Sequence, residues 1–334
     1  MSKTSPKSLS REVVKEAVEK LYGITSIKPI ELQGEGIENA AWVFYTESQN
    51  YIVKIFDYTE IIEKDVNEEV LLYEYLREHN INVSEVIPSL SNQKVVSIDK
   101  FPAILMKYEK LTRYKPHELS KKQLESIART IGHMHHILMT YPRKEYIHVA
   151  KQDAMSIYDH SLKDFDLFLK SPNAKSPHLQ DHDRLRKVRE NAIKYLQSQK
   201  LEKELTKSVL HNDLALGHIL FLSNGKPYIF DFSDFAYGAV ALELGVLFFN
   251  FYREGGITTN EWKSMIKEFL DVYTKIIPLT ENDMKAIDIF TVSRMLEHIR
   301  YLDEKSIEEG YPVDDKGIKK RYDLLEYLYL DQSN

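Results

Sequence analysis

The chain has 334 residues, 43% of them hydrophobic, a formal net charge of −6 and no cysteine. Its length allows two lobes with sizeable cores, and the missing thiols exclude a disulfide framework, thiol catalysis and a zinc-thiolate centre. The lysines are dispersed among acids, so the charge gives no electrostatic ground for binding nucleic acid.

In chain order, Met1-Ser-Lys-Thr-Ser-Pro-Lys7 lacks the apolar core of a signal peptide. A helix is expected from near Ser10, a capping residue, to Gly23, a helix-ending one. Gly34-Glu-Gly36-Ile-Glu-Asn39 is a glycine-bearing turn between the apolar segment Ile27 to Leu32 and the run Ala41 to Tyr45; alone it is a weak sign. Tyr51-Ile-Val-Lys54-Ile-Phe56 follows a polar turn, so the two runs read as a hairpin with Lys54 on its return strand. A lysine in such a place is ordinarily a solvated edge charge.

From Glu63 to His79, Val66, Val70, Tyr73 and Leu76 fall at spacings of three and four, the apolar stripe of an amphipathic helix. Glu69, or Glu68 beside it, can then hold a strand lysine toward phosphate, although either alone is by default helix-surface charge. A second hairpin joins Lys94–Ile98 to Phe101–Met106. Residues 1–108 thus read as a small antiparallel lobe with a crossing helix.

Beyond Tyr108 the pattern turns helical, and residues 109–334 read as a larger second lobe. Leu124, Ile127, Ile131, Met134 and Leu138 mark one helix, and Leu185, Val188, Ala192, Ile193 and Leu196 another. Lys170-Ser-Pro-Asn-Ala-Lys-Ser-Pro177 between them is a polar connector. After Asn250, Trp262, Ile266, Phe269 and Tyr273 recur at helical intervals, followed by Ile287 to Tyr301 and Tyr322 to Leu330. The longest apolar region, Ala239 to Tyr252, is broken by Glu243 and Asn250 and is too short to span a membrane. The expectation is a cytoplasmic α+β protein with two lobes and no membrane or nucleic-acid partner.

His211-Asn-Asp213-Leu-Ala-Leu-Gly-His218 interrupts the helices and leads into a hairpin. Ile219 to Leu222 runs out, Ser223-Asn-Gly-Lys226 turns, and Tyr228-Ile-Phe230 returns to Asp231, with Asn-Gly as the strong hairpin signal. Phosphoryl transfer requires mainly positioning, charge neutralisation and one base near the attacking hydroxyl. Asp213 suits the base, and His218 and Asp231 suit a divalent cation that bridges the phosphates. The plain alternative is a hairpin whose polar residues cap turns.

The ordered set of Gly36–Asn39, Val53-Lys54, Glu69–Leu76, Ala103–Tyr108, His211–His218 and Ile229–Asp231 resembles the aminoglycoside phosphotransferase family. That family is the small-molecule branch of the protein-kinase-like fold. Each piece is loose; their order and spacing across most of the chain are specific. The resemblance implies ATP or GTP as donor and magnesium as cofactor. It places Gly36, Asn39 and Lys54 at the nucleotide, Glu69 as the partner of Lys54, and Met106, Lys107 and Tyr108, in a hinge running to Lys110, at the purine. It makes Asp213 the catalytic base and puts His218 and Asp231 on the metal.

Two positions depart from the family's usual pattern: His218 where asparagine is common, and Glu243, in Ala241-Leu-Glu-Leu-Gly245, where an aspartate usually steadies the loop after the metal-binding residue. Imidazole is a competent but softer ligand than an amide oxygen. Both departures leave room for a kinase-like nucleotide-binding or regulatory protein without transfer activity. The segment from Phe232 to Leu242 is short for a peptide platform, which favours a small hydroxylated acceptor over a protein one. Aminoglycosides, macrolides, choline-like alcohols, homoserine and sugars all fit that description.

Other features are plainer. His133, His135 and His136 lack the convergent ligands of a zinc site, and His135 is expected to pack near the catalytic loop. The tyrosines from Tyr322 to Tyr329 fall at core spacing. Glu308-Glu309 and Asp314-Asp315 read as a solvated acidic loop, or as carboxylates lining a polyamine pocket.

Overall fold

The computed structural model describes residues 5–33, 39–57, 63–150, 158–170, 181–199, 204–309 and 315–331. Gly36, most of the connector at 171–177, and Asp314 lie outside them. The chain divides into two compact units: one of residues 1–112, 145–147 and 219–233, the other of residues 113–144, 148–218 and 234–334.

The first unit opens with α1 (Arg11–Tyr22), capped as expected by the Ser10 hydroxyl and closed by Gly23 at φ 68°. The strands β1 (Glu31–Gln33), β2 (Ala40–Phe44), β3 (Tyr51–Ile55), β4 (Val86–Ile87), β5 (Val96–Ile98) and β6 (Phe101–Lys107) form one sheet in the order β1-β2-β3-β6-β4, with β5 also paired to β6. Val14, Val18 and Tyr22 of α1 pack with Trp42, Phe44, Val53, Ile55 and Leu105 on one face of this sheet. Side chains alternate across a strand, so Lys54 points to the opposite face. The crossing helix is α2 (Glu63–Glu78).

A hairpin of β8 (Ile219–Phe221) and β9 (Pro227–Ile229) belongs to this first unit, although its sequence position suggested the second lobe. The cause is specific bonding: Thr112 pairs with Phe221, the Ile229 N–H donates to the Asn82 carbonyl, and Tyr228 and Ser84 share a hydroxyl contact. The hairpin turn is the one read from Asn-Gly, with Gly225 at φ 78°.

The second unit contains α3 (Lys121–Leu138), α4 (Tyr158–Phe168), α5 (His182–Ser198), α6 (Val240–Arg253), α7 (Thr259–Tyr273), α8 (Glu281–Glu309) and α9 (Asp315–Asp331). It also holds a two-stranded ribbon, β7 (Lys207–Leu210) against β10 (Ala236–Ala239). Helix α6 is buried on nearly every side, as its near-continuous apolar run demands. It runs very close to α8: a Cβ on Gly245 would stand 2.7 Å from Phe290 Cβ and 3.0 Å from the Thr291 backbone nitrogen. Tyr322, Leu325 and Leu328 are core residues of α9, in line with their spacing.

Candidate active site

In the first unit, Lys54 is the centre of a buried ion cluster. Its Nζ donates to Glu69 Oε1 at 3.1 Å, Asp231 Oδ1 at 2.8 Å and Ser233 Oγ at 2.5 Å. None of its bonds goes to Glu68, so the ambiguity between the two glutamates resolves to Glu69. Burial alone would pull the ammonium down, but the Glu69 and Asp231 carboxylates reverse this and raise it, so Lys54 stays charged. Burial pushes Glu69 up, against the opposing pull of Lys54.

Three groups complete the cluster, and two of them escaped the sequence reading. The Tyr73 hydroxyl, one turn after Glu69, accepts from the backbone N–H of Asp231 at 3.2 Å and of Phe232 at 3.4 Å, and it is also bonded to Glu69. Its ring meets Phe232 edge-on at 5.4 Å. In the sequence Tyr73 is simply one member of an apolar stripe, so nothing there marks its hydroxyl. Ser233 donates to Asp231 Oδ1 at 2.9 Å and accepts from Asn39 Nδ2 at 3.5 Å. Asn39 also accepts the Asp57 N–H at 3.4 Å. Asp231 sits at φ 66°, a left-handed conformation that aspartate tolerates better than most residues.

At the expected hinge, Met106 lies in the sheet opposite Ile52 and Val86. The Lys107 N–H donates to the Glu85 carbonyl and the Tyr108 N–H to the Asn50 carbonyl, both at 2.9 Å. Both backbone donors are therefore committed within the protein. The adjacent N–H groups of Glu109 and Lys110 have no acceptor among the described residues.

In the second unit, β10 runs antiparallel to β7 with Ala236 opposite Leu210 and Ala239 opposite Lys207, so α6 starts beside the beginning of β7, where the Val240 N–H donates to the Thr206 carbonyl. From the first turn of α6, the Glu243 side chain reaches the loop that carries Asp213. Its Oε2 accepts from the His211 N–H at 3.1 Å and its Oε1 from the Asn212 N–H at 2.8 Å. His135 Nε2 bonds to the same carboxylate at 2.6 Å, and His135 Nδ1 to the Tyr273 hydroxyl at 2.7 Å. Glu243 thus braces the loop before the hairpin, at His211 and Asn212, whereas the family's usual aspartate is expected to steady the loop after the metal-binding residue. Burial would raise its carboxyl, but His135, His211 and the Asn212 N–H outweigh that and hold it below the usual range.

The loop is also fixed from within. Asn212 takes φ 68°, the Asp213 N–H donates to His211 Nδ1 at 3.4 Å, and Asn250 Nδ2 donates to the Leu214 carbonyl at 3.2 Å. Leu214 and Leu216 are fully buried pegs. The Asp213 carboxylate remains 37% exposed, 3.5 Å from Arg294 Nη2 and 3.8 Å from His218 Nδ1. His218 Nδ1 lies 2.8 Å from the Asp213 carbonyl, which can only accept. Nδ1 is therefore the donor in this contact, and Nε2 is the ring nitrogen that a metal would use. Arg294 is an isolated arginine on a long helix, and no sequence signal points to it.

Among the described residues there is no group of three or more His, Asp or Glu side chains that could hold a metal. His135 is occupied by Glu243 and Tyr273, in agreement with a packing role. Also among the described residues, no helix is long and apolar enough to cross a membrane.

Solved structures share this fold. An amicoumacin kinase in complex with AMP-PNP, Ca2+ and its antibiotic is similar at TM-score 0.71 and 16% identity, covering 96% of this chain and 94% of that one. An aminopropanol kinase associated with a microcompartment gives TM-score 0.70 at 15% identity, covering 96% and 98%. A spectinomycin phosphotransferase in complex with ADP and spectinomycin gives TM-score 0.69 at 14% identity, covering 98% and 99%. These likenesses establish the bilobal, kinase-like α+β fold. No curated protein matches the sequence. The model of the phosphotransferase enzyme family matches residues 29–271, most of the chain, and the protein belongs to that family.

Proposed function

We propose that this phosphotransferase moves the γ-phosphoryl group of ATP or GTP to a hydroxyl of a small molecule, with Asp213 as the general base. The observation that carries this reading is the buried Lys54, held at 3.1 Å by Glu69 and 2.8 Å by Asp231. A surface lysine needs no such cluster, whereas a lysine that neutralises phosphate charge must be kept charged and aimed. Gly36, Asn39 and Lys54 belong to the nucleotide-binding part, residues 1–108, and Met106 to Lys110 to the purine edge. If the hinge reads the purine through backbone N–H groups, those of Glu109 and Lys110 are the ones to do so. Residues 109–334 carry catalysis and acceptor binding.

Magnesium is the cofactor in this reading: the Asp231 carboxylate is the hard oxygen donor it prefers, and His218 would be the second, softer ligand. When bound, it would neutralise charge on the phosphates. Asp213, exposed and braced through its backbone by Glu243, takes the proton of the attacking hydroxyl. Glu243 keeps both loop N–H bonds, so its extra methylene does not dismantle the loop, which favours an active enzyme over a silent kinase-like protein. Spectinomycin and aminopropanol, named with the structural neighbours, are small hydroxylated molecules and support that acceptor class. A cytoplasmic location belongs to the same reading, since nucleoside triphosphates are held there.

The test is nucleotide-diphosphate release across a panel of antibiotics and metabolite alcohols. With an accepted substrate, Asp213→Ala should lower turnover by about two to four orders of magnitude while nucleotide affinity stays nearly unchanged. Normal turnover in that variant would sink the assignment.

A further inference from the structure

Helix α8 is fastened on both sides of Arg294. Before it, the Thr291 hydroxyl donates to the Gly245 carbonyl of α6 at 3.5 Å. After it, Arg300 pairs with Asp164 of α4 at 3.3 Å and Asp303 with Arg189 of α5 at 2.5 Å. The Arg294 stem is buried as far as Nε, which has no hydrogen-bond partner. Nη1 donates to Glu297 Oε2 at 2.6 Å, and Nη2 lies 3.5 Å from Asp213 Oδ1. A charged group is thus presented to the base from a rigid element, and a neighbouring carboxylate holds its other arm.

Arg189 shows what a structural arginine looks like in this lobe. It is fully buried, donates to Asp303 and to the Tyr322 hydroxyl, both at 2.5 Å, and covers the Phe165 ring at 4.4 Å. The Arg294 and Asp213 side chains are instead 34% and 37% exposed. Ion pairs so open to water contribute little to stability, so fastening α8 to the loop is a poor account of this one.

The loop itself supplies a better account. Glu243 and Asn250 fix the backbone on either side of Asp213, at Asn212 and Leu214. They leave the Asp213 side-chain torsions free, yet a base must aim one oxygen at the acceptor hydroxyl. At 3.5 Å, longer than an ordinary hydrogen bond, Arg294 attracts Oδ1 without occupying its lone pairs. Glu297, holding Nη1, keeps the guanidinium from closing on the base.

We propose that Arg294 is a positioning residue for the base: it turns Asp213 Oδ1 toward α8 and leaves Oδ2, on the His218 side at 3.8 Å, to take the acceptor's proton. This rests on the phosphotransferase reading above. In the step, the acceptor oxygen bonds to the γ-phosphorus, the bond from that phosphorus to the nucleotide diphosphate breaks, and the hydroxyl proton passes to Oδ2.

Two measurements test the proposal. The first needs no turnover and follows the arginine Nε–H resonances of the isotope-labelled full chain, with that of Arg294 assigned by its disappearance in Arg294→Lys. Asp213→Asn should shift the Arg294 resonance and leave that of Arg189 in place. An unmoved Arg294 resonance overturns the proposal, even where transfer itself proceeds.

The second is a double-mutant cycle on phosphoryl transfer to an accepted substrate. Arg294→Ala should lower kcat by about tenfold to a hundredfold and change the KM for nucleotide by less than about twofold. Arg294→Lys keeps the charge without the planar fork and should recover part of the loss. In the Asp213→Ala background the same Arg294→Ala change should alter the residual rate by less than about twofold, because its effect passes through the missing carboxylate. A loss that persists in that background assigns Arg294 to the acceptor or the phosphoryl group and overturns the proposal, as does a lowered Tm with unchanged kcat. Should Arg294→Ala fail to fold, Glu297→Gln keeps the arginine but loosens it and carries the same cycle, with a loss of about threefold. Absence of transfer to every acceptor removes the phosphotransferase reading, and this role with it, whatever the resonances show.

Discussion

Lys54 and Asp213 are each held in place by a buried glutamate, but by different routes. In the first unit the glutamate touches the functional group itself: Glu69 bonds the Lys54 ammonium, whose side chain is only 9% exposed. In the second unit Glu243 never touches the Asp213 side chain; it bonds the two preceding backbone N–H groups and leaves the carboxylate 37% exposed. In the proposed reaction the difference follows from what each group must do. A lysine that neutralises phosphate charge gains from low-dielectric surroundings, where its interactions are stronger. A base must stay reachable by its substrate and free to take a proton, so it is safer to fix its backbone than its oxygens.

The contrast can be broken at three points besides Asp213. The largest effect on stability is expected from Glu243→Ala, which strands His135 and two loop N–H groups and should cost about 3–5 kcal/mol by denaturant unfolding. Its pH dependence has a definite sign. The folded-state carboxyl is held below the ordinary 4.5, so its contribution is present above that value and is lost as pH falls through the folded value. Wild-type stability should therefore drop in that acid window, and the variant should lose that part of the slope. An unchanged slope would show that Glu243 carries no net stabilisation from its partners.

Lys54→Met should behave oppositely, with a large functional and a smaller structural effect. Glu69 is already pushed up by burial and can take a proton when its partner is removed. Unfolding should cost less than for Glu243→Ala, about 1–3 kcal/mol, while nucleotide affinity measured by calorimetry falls steeply. Retained affinity would remove Lys54 from the nucleotide site. The smallest effect belongs to Tyr73→Phe, which keeps the ring against Phe232 but removes the oxygen that accepts from Asp231 and Phe232. A loss of about 1 kcal/mol is expected, with a rise in the KM for nucleotide larger than any change in kcat. A change in kcat alone would show that Tyr73 does not position Asp231.

Much of this molecule was legible in its residues because its signals are local. The Ser10 cap and Gly23 stop, the Asn224-Gly225 turn and the three-and-four spacing of α2, α3 and α5 act within a few residues, and each recurs in the structure. What sequence missed depends on distant partners. Ser233 and Tyr73 look like ordinary loop and stripe residues until the chain brings Asp231, 177 positions after Lys54, onto the same ammonium. Arg294 reads as a scattered charge on a helix until it meets Asp213. Glu243 follows the same rule: the family pattern supplies a carboxylate, but the packing of α6 decides which backbone it reaches.

The sequence by itself thus determined the two-lobed α+β plan, the family, and the residue types able to transfer a phosphoryl group, because propensity, periodicity and motif spacing are properties of neighbouring residues. Tertiary structure alone decided that Glu69 rather than Glu68 holds Lys54, that the hairpin before Asp231 belongs to the first unit, that Glu243 braces the loop of Asp213, and that Arg294 reaches that carboxylate. Each of these is a balance of burial and charge among groups that only folding brings together, and no local pattern encodes it.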